Sequence, residues 1–422
     1  MIRFPIALFA VLTFRCATTN DPAINPPTVT TSEPTDITLT SASVGGSVES
    51  SPSDLITSKG VCWSRNPVPE LDNLSSKTDN GPGAGSFTST LEGLRIAKYY
   101  VRAFARVQDK VFYGNEVVLD IGALVPALNS TKRANIGLES VEIETTLIYT
   151  HSLPIIQKGI TWGTSMTPSI STGTRVEGTG TGPAFISQVT GLSAYTNYYV
   201  RPYAITELGT FYGNTLSIII IPPVSYGEVT DIDGNTYKTA TVNGKTWMAE
   251  NLRVTRYNDG TALTASGSQD QFKTIASASY IPYGGDEGSV DEYGYLYNGY
   301  AISSDKNVCM TGWHLPSPAE WSQLGSSLGG MNVAGGRMKL PSGWSNPNVE
   351  ATNESGFSAL PGGSYCRVCL SNTGIFADQG TDGYWWSSSV GTFYYVTNDL
   401  ASLRTKGTAN INDGLSVRCV KD

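Results

Sequence analysis

The residues best placed to do chemistry are two cysteines, Cys366 and Cys369, in the segment GGSYCRVC (362–369). Thiols three positions apart can form a redox pair, half of a metal site, a catalytic pair or a local disulfide. A structural zinc site needs further soft ligands, and the sequence has no second CxxC. A thioredoxin-type pair opens a helix, whereas the flanking Gly, Ser and Asn are typical of turns. The local disulfide and the catalytic thiol pair therefore stay open.

Histidine chemistry is restricted to two residues, His151 and His314. A histidine-rich metal site is excluded, and a Ser-His-Asp triad would have to use one of these two. We expect both to be ordinary loop or core residues, and we predict neither a resident metal nor a cofactor.

The composition indicates a secreted or surface protein rich in β-structure. The 422 residues include 45 Gly and 22 Tyr, but only 15% are charged. The net charge of −8 repels polyanions, and no Lys/Arg cluster opposes it. We therefore exclude nucleic acid as a partner.

The N-terminus predicts export and a lipid anchor. The apolar run from Phe4 to Phe14 is too short to cross a bilayer but fits the core of a signal peptide. Cys16 follows it, and this arrangement resembles the lipobox of bacterial lipoproteins. We predict that residues 1–25 are a lipoprotein signal peptide and linker, that Cys16 is acylated, and that the protein is an outer membrane lipoprotein, located at the cell surface.

Two copies of one module follow. KGVCWS (59–64) recurs as KGITWG (158–163), and Trp162 follows Trp63 by 99 positions. A repeat of about a hundred residues is typical of a small β-sandwich. A Gly-Leu pair before Tyr100, and again before Tyr199, resembles the tyrosine corner of fibronectin type III-like modules. We predict modules at 26–122 and 123–222, and an unpaired, half-buried Cys62, because the second copy has Thr161 there.

The amino-acid composition changes after residue 222. Asp233-Gly234 and Asn243-Gly244 predict hairpin turns. In LPSPAEWSQLGSSLGG (315–330), Ser317 is a predicted N-cap with Pro318 at the first helical position and Glu320 at the third.

Six short sequence segments, in this order along the chain, resemble those of a known family. WMAENLRVTRYNDGTAL, YGYLYNGYAI, VCMTGWHLPSPAEW, GFSALPGG, YWWSSS and SVRCVKD together resemble the Fibrobacter succinogenes major paralogous domain family. The resemblance implies a domain over 223–422 that is similar in fold to C-type lectin-like domains and formylglycine-generating enzymes. The predicted fold class is therefore mostly β and multidomain, with two tandem fibronectin III-like β-sandwiches followed by an α+β C-type lectin-like domain.

The resemblance also bears on the cysteines. Cys309 and Cys419 lie in two of the blocks, so we expect a disulfide between them, which leaves Cys366 and Cys369 for each other. PGGSYCRVC also resembles the thiol pair of formylglycine-generating enzymes, but its thiol spacing is shorter and Pro361 replaces the usual arginine. An enzyme that uses Cys366 and Cys369 is the alternative function.

Aromatic residues supply the candidate ligand contacts. GTDGYWWSSS contains Trp385 and Trp386, and Tyr394 and Tyr395 follow. One of two adjacent tryptophans on a strand must face outward, and aromatic rings stack on sugars. We predict a surface-anchored, non-enzymatic binding or adhesion protein, in which a β-sandwich stalk presents a lectin-like head to a glycan or a surface protein. The further alternative is a structural component of an envelope or fimbrial assembly.

Overall fold

The computed structural model describes residues 26–50, 56–71, 76–149, 154–180, 182–366 and 375–422. Within these ranges the chain forms six β-sheets and only short helices. The prediction of a mostly β, multidomain protein is therefore confirmed.

The chain divides into two compact units. The first contains the residues up to Ala127 together with Ile148–Ile156 and Ile205–Phe211, and the second contains the remainder. Within the second unit, Tyr195 and Ile221 pack against a core of the C-terminal domain.

The first module is built from two three-stranded sheets. Its strands are β1 (Thr28–Thr31), β2 (Ala42–Glu49), β3 (Ile56–Ser64), β4 (Gly85–Leu91), β5 (Lys98–Val107) and β6 (Lys110–Asp120). Sheet β1-β2-β4 and sheet β3-β5-β6 share one core, to which Val44 of the first and Val101 of the second both belong. Alternation of buried and less buried side chains from Lys98 to Ala103 along β5 gives the module its inner face.

The second module repeats this plan. Its strands are β7 (Ala127–Gly137), β8 (Ser140–Ile148), β9 (Gln157–Gly163), β10 (Thr174–Glu177), β11 (Ala184–Thr190), β12 (Tyr198–Thr206), β13 (Gly209–Tyr212) and β14 (Leu216–Ile218). Sheet β11-β8-β7 packs against sheet β10-β9-β12-β13, on which β14 pairs with β12.

Both modules contain a tyrosine corner, but one residue earlier than predicted. The hydroxyl of Tyr99 accepts a hydrogen bond from the Arg95 N–H at 2.9 Å, and that of Tyr198 accepts one from the Ser193 N–H at 3.1 Å. Tyr99 is buried, whereas Tyr100 is half-buried. The prediction of Tyr100 and Tyr199 is wrong because successive strand residues face opposite sides, so a shift of one position exchanges core for surface.

The C-terminal domain combines two sheets with short helices. Its strands are β15 (Ser225–Thr230), β16 (Thr236–Val242), β17 (Lys245–Met248), β18 (Thr264–Ala265), β19 (Ser279–Ile281), β20 (Leu296–Asn298), β21 (Trp313–His314), β22 (Gly362–Cys366), β23 (Ile375–Gln379), β24 (Asp382–Trp386), β25 (Phe393–Thr397), β26 (Arg404–Lys406), β27 (Gly414–Leu415) and β28 (Val420–Lys421). Its helices are α1 (Gln269–Thr274), α2 (Val290–Tyr293), α3 (Gly299–Ile302), α4 (Pro318–Ser327) and α5 (Met331–Met338).

The smaller sheet has the order β15-β16-β17-β28-β21, so the last strand of the chain lies inside it. The larger runs β18-β19-β20-β27-β22-β24-β25-β26, with β23 on β22. The predicted hairpin turns join β15 to β16 and β16 to β17, where Gly234, Asn243 and Gly244 have positive φ. The two larger apolar cores lie around Tyr297 and Trp386 and around Trp321 and Trp385, and a smaller one lies around Phe272 and Tyr365.

The start of α4 follows its local sequence. Ser317 and Glu320 form the reciprocal capping box, and Pro318 occupies the first turn. Leu328 and two glycines separate α4 from α5. The sequence did not predict α5 because its MNVAGGRM contains two helix-weakening glycines. No helix in the described part of the chain is long and apolar enough to cross a membrane.

Candidate ligand-binding groove

The predicted ligand contacts are mostly core residues. Trp385 and Trp386 are 0% and 1% exposed, and Tyr394 is 3% exposed. The ring N–H groups of the two tryptophans have acceptors inside the protein. Trp385 Nε1 donates to Asn251 Oδ1 at 2.9 Å, and Trp386 Nε1 donates to the Tyr297 carbonyl at 2.7 Å. These three side chains cannot contact a ligand on the surface.

The reason is that β24 is covered on both faces. Trp385 points into the core with Trp321, and Trp386 points into the core with Tyr297. The expectation that one of two adjacent tryptophans must face outward assumes a sheet with one exposed face, and that assumption is wrong here.

The fourth predicted contact, Tyr395, is half-buried and belongs to a cluster of aromatic rings on one sheet face. Tyr384 lies opposite Tyr395 in the β24–β25 register, and Trp386 lies opposite Phe393. The rings of Tyr384 and Tyr395 stack with centroids 5.6 Å apart and planes at 24°. Phe393 meets Tyr384 edge-on at 5.9 Å. Three partly exposed rings thus continue the face on which Trp386 is buried.

This cluster borders a cavity of about 320 Å³. Its lining includes the rings of Tyr384, Phe393 and Tyr395 together with Cys366 and Asp378. We call this cavity the aromatic groove. It is at the lower end of the size range for small-molecule sites, and it brings the end of β22 beside the β24–β25 hairpin.

Carboxylates anchor the phenol of Tyr384. Its hydroxyl lies 2.9 Å from Asp378 Oδ2 and 2.8 Å from Asp382 Oδ2. A phenol has one proton and can donate to only one carboxylate at a time. Burial, and then the charge of Asp378, raise the pKa of Asp382, while burial and the bond to Asp382 raise the pKa of Tyr384. The groove therefore contains an acceptor with unused capacity for a ligand hydroxyl.

Cations flank the other side of the rings. In the β25–β26 register Arg404 lies opposite Tyr395 and Lys406 lies opposite Phe393. The guanidinium of Arg404 is 5.3 Å from the centroid of the Tyr395 ring. Both cations are exposed, and neither pairs with a carboxylate within the described residues. The groove and its edge thus offer apolar ring faces, acceptors and donors on four strands, β23 to β26.

The sequence already contained a signal for this face. Phe393 and Tyr395 are two positions apart, as are Tyr384 and Trp386, which is the period of one strand face. Arg404, Lys406 and Asp378 had no comparable signal, because only the strand pairing brings them to the rings.

Comparison with known proteins identifies the C-terminal domain. Residues 241–421 match the family model of the Fibrobacter succinogenes major domain. Over these residues the C-terminal domain is thus similar to that family. The resemblance found in the sequence blocks is therefore confirmed, and we call residues 223–422 the major domain.

Matches beyond the major domain are distant. No curated protein matches the sequence. Purple acid phosphatase PPD1 from yellow lupin (Lupinus luteus) seeds is 12% identical, with 50% of this chain and 44% of that chain covered and a TM-score of 0.20. The FN1–FN3 domains of chicken CNTN1 are 12% identical, with 51% and 75% covered and a TM-score of 0.26. This chain thus spans less than half of the phosphatase.

The cysteines of the major domain are oxidised where they are described. Cys309 and Cys419 form a disulfide with Cα atoms 5.9 Å apart, which confirms that pairing. Cys366 is also disulfide-bonded. Its predicted partner Cys369 lies outside the described residues, as do Cys16 and His151, so the 366–369 pairing stays a prediction.

Cys62 in the first module is a free thiol and is 0% exposed, so the expectation of half burial is wrong. Burial raises its pKa to about 11. A buried, protonated thiol is a poor nucleophile, and Cys62 is a packing residue.

His314 has a structural environment. Its Nδ1 is 2.6 Å from Asp422 Oδ1, and its Nε2 is 3.0 Å from Glu320 Oε1. Burial raises the pKa of Glu320, but bonds from Ser317 and His314 outweigh this and lower the pKa. His314 therefore ties the end of the chain to the cap of α4. Within the described residues, no group of three or more His, Cys, Asp or Glu side chains could hold a metal ion.

Proposed function

We propose that the major domain is a non-enzymatic recognition head that binds a glycan in the aromatic groove. The observation that carries this proposal is the cluster of Tyr384, Phe393 and Tyr395, three partly exposed rings on one face of neighbouring strands. Evenly polar surfaces do not expose such rings, and clustered rings beside polar groups are typical of ligand sites.

The chemistry of the groove suits a sugar. The apolar C–H face of a pyranose packs against an aromatic ring, while its hydroxyls both donate and accept hydrogen bonds. Asp378 can accept from hydroxyls, and Lys406 can donate to them. These groups make direct contacts without a bridging ion, so we propose recognition that does not depend on calcium.

The lipid anchor and the stalk remain part of the proposal. Acylation of Cys16 would hold the protein at the outer membrane, and the two β-modules would carry the major domain at the cell surface. The family match and the β-rich fold suggest a surface-type protein. Binding of a glycan is the more specific part of our proposal.

The thiol-enzyme alternative has less support. A nucleophilic cysteine must be a free thiolate, whereas the sulfur of Cys366 is in a disulfide. The same residue lines the aromatic groove. We therefore propose a structural role for Cys366 at the groove wall.

The test is a glycan array probed with the full chain, in the presence of calcium and again with a chelator. We expect binding to a defined glycan in both conditions. Tyr395→Ala should weaken that binding at least about tenfold, because it removes a stacking face. The matched control is Tyr100→Ala, a half-buried tyrosine of the first module.

Binding that is equal for Tyr395→Ala and the unchanged protein would contradict the groove assignment. Absence of binding to any glycan would contradict the proposal as a whole and favour the structural role in an envelope assembly.

A further inference from the structure

A second cavity of the major domain lies beside its first strand and has no residue in common with the aromatic groove. Its volume is about 820 Å³. Leu340 and Leu360 form part of its wall, and Tyr226 and Glu228 of β15 lie along one side. We call it the β15 cavity. This volume is sufficient for a long side chain.

The β15 cavity is acidic. Four carboxylates line it, from Glu228, Glu250, Asp291 and Glu292, against two cations, Lys238 and Arg418, which leaves a net charge of −2. Within the described residues, none of these carboxylates pairs with a cation within 4.0 Å.

The buried cation is already counted in this net charge, and Glu250 is the carboxylate that interacts with it. Arg418 is 1% exposed, and its guanidinium donates to the backbone carbonyls of Phe357 and Ser358 and to Asn251 Oδ1. Arg418 Cζ lies 4.2 Å from the centroid of the Phe357 ring and 5.5 Å from that of the Trp385 ring. These neighbours hold Arg418 in the core, while Glu228, Asp291 and Glu292 are exposed. The rim of the cavity thus attracts cations.

The strand beside the cavity is an open sheet edge. β15 is the terminal strand of its sheet and, among the described strands, pairs only with β16. Five of its six residues are exposed, and Tyr226 is 57% exposed. A terminal strand presents a row of unpaired backbone N–H and C=O groups to which another extended chain can bond.

We propose that β15 and its cavity form a docking site for an extended, basic segment of a partner protein. The segment adds as a strand to the free edge of β15. Every second side chain of an added strand then faces the same side as Tyr226 and Glu228, so lysines or arginines at those positions reach the carboxylates of the cavity. The backbone supplies affinity and the charges supply selectivity.

Charge decides the occupant. A second copy of this chain would bring a second set of the same carboxylates to the edge, in a protein whose net charge is −8. Like charges brought together oppose association, whereas a basic strand neutralises them.

The probe for this site is a labelled nonapeptide, Thr-Lys-Val-Lys-Thr-Lys-Val-Lys-Thr, titrated with the full chain and followed by fluorescence anisotropy. We expect binding that weakens as salt rises, because exposed charges are screened. The same peptide with Glu in place of Lys should not bind. Two further Lys peptides are N-methylated at alternate residues, one at the odd and the other at the even positions. N-methylation removes the backbone N–H groups that bond to a neighbouring strand, so at least one of these two peptides should not bind.

The variant Asp291→Asn/Glu292→Gln should weaken peptide binding at least about fivefold, as expected for two charge pairs at a surface. Its matched control, Asp270→Asn/Asp305→Asn, neutralises two exposed carboxylates of the same domain outside the cavity. Both variants keep side-chain size, and circular dichroism verifies the fold.

Equal binding of the Lys and Glu peptides, no effect of Asp291→Asn/Glu292→Gln, or full binding by both N-methylated peptides would each overturn the proposal. Self-association of the chain that the Lys peptide cannot reverse would assign the edge to a second copy and would also overturn it. None of these measurements involves a glycan, so their outcome is independent of the function proposed for the aromatic groove.

Discussion

Removal of the Cys309–Cys419 disulfide, as Cys309→Ala/Cys419→Ala, should sharply destabilise the major domain. The bond closes a loop of 110 residues, for which loop-closure entropy gives about 5 kcal/mol. Both cysteines are at most 1% exposed and lie in the core with Tyr297. Loss of each sulfur from a close-packed interior adds about 1 kcal/mol. The sum of about 7 kcal/mol is comparable to the whole stability of many domains.

The assay is urea unfolding of the full chain followed by tryptophan fluorescence. Six of the eight tryptophans belong to residues 223–422, so the signal reports mainly on the major domain. We expect the double variant to unfold at much lower urea than the unchanged protein, or to be unfolded without urea. The control is Cys62→Thr, which places in the first module the residue that the second has at Thr161.

A loss of less than about 2 kcal/mol in the double variant would refute this reasoning. It would mean that the unfolded chain remains compact without the bond, so that closing the loop restricts it little.

Three further predictions concern single side chains. Burial lowers the pKa of Lys339 to about 8, so the unfolded chain holds more protons between pH 8 and 10.5, and stability should rise by about 3 kcal/mol across that window. Lys339→Met should remove this rise in pH-dependent urea unfolding, and an unchanged rise would assign it to other groups. Tyr99→Phe should lower the free energy of unfolding by about 1 kcal/mol, since the Arg95 N–H loses its acceptor, while Tyr100→Phe should leave it nearly unchanged. Equal losses for the two variants in thermal unfolding would contradict the tyrosine-corner assignment. Peptide mapping after alkylation without reductant should find Cys62 modified only in denaturant, and modification of Cys366 in the native protein would revive the thiol-enzyme alternative.

Features set by a few neighbouring residues were predictable. The capping box of Ser317 and Glu320 satisfies backbone groups within one helical turn, so the sequence specifies it without reference to the rest of the fold. The hairpin turns at Gly234 and Asn243-Gly244 are local in the same sense, because they need residues that tolerate positive φ. The repeat offset of 99 likewise implied two equivalent modules before any strand was placed.

Features that depend on which surfaces meet were not predictable. The sequence around Trp385 and Trp386 does not indicate whether one or both faces of their sheet are covered. Because each face packs against a core, both rings are buried, and the expectation that one faces outward is wrong. The tyrosine corner failed by one position for a related reason, since strand register alone separates Tyr99 from Tyr100.

The amino-acid sequence thus suffices for the mostly β class, the repeated modules, the family of the C-terminal domain and the pairing of Cys309 with Cys419. These rest on composition, periodicity and collinear blocks, which can be read along one chain. The aromatic groove and the β15 cavity arise only on folding, because strand pairing and packing bring separate segments together. Asp378 bonds to Tyr384 in this way, and Asp291 and Glu228 come to line one cavity. Burial in the folded chain, not residue type, determines which aromatic rings and charges remain available to a ligand.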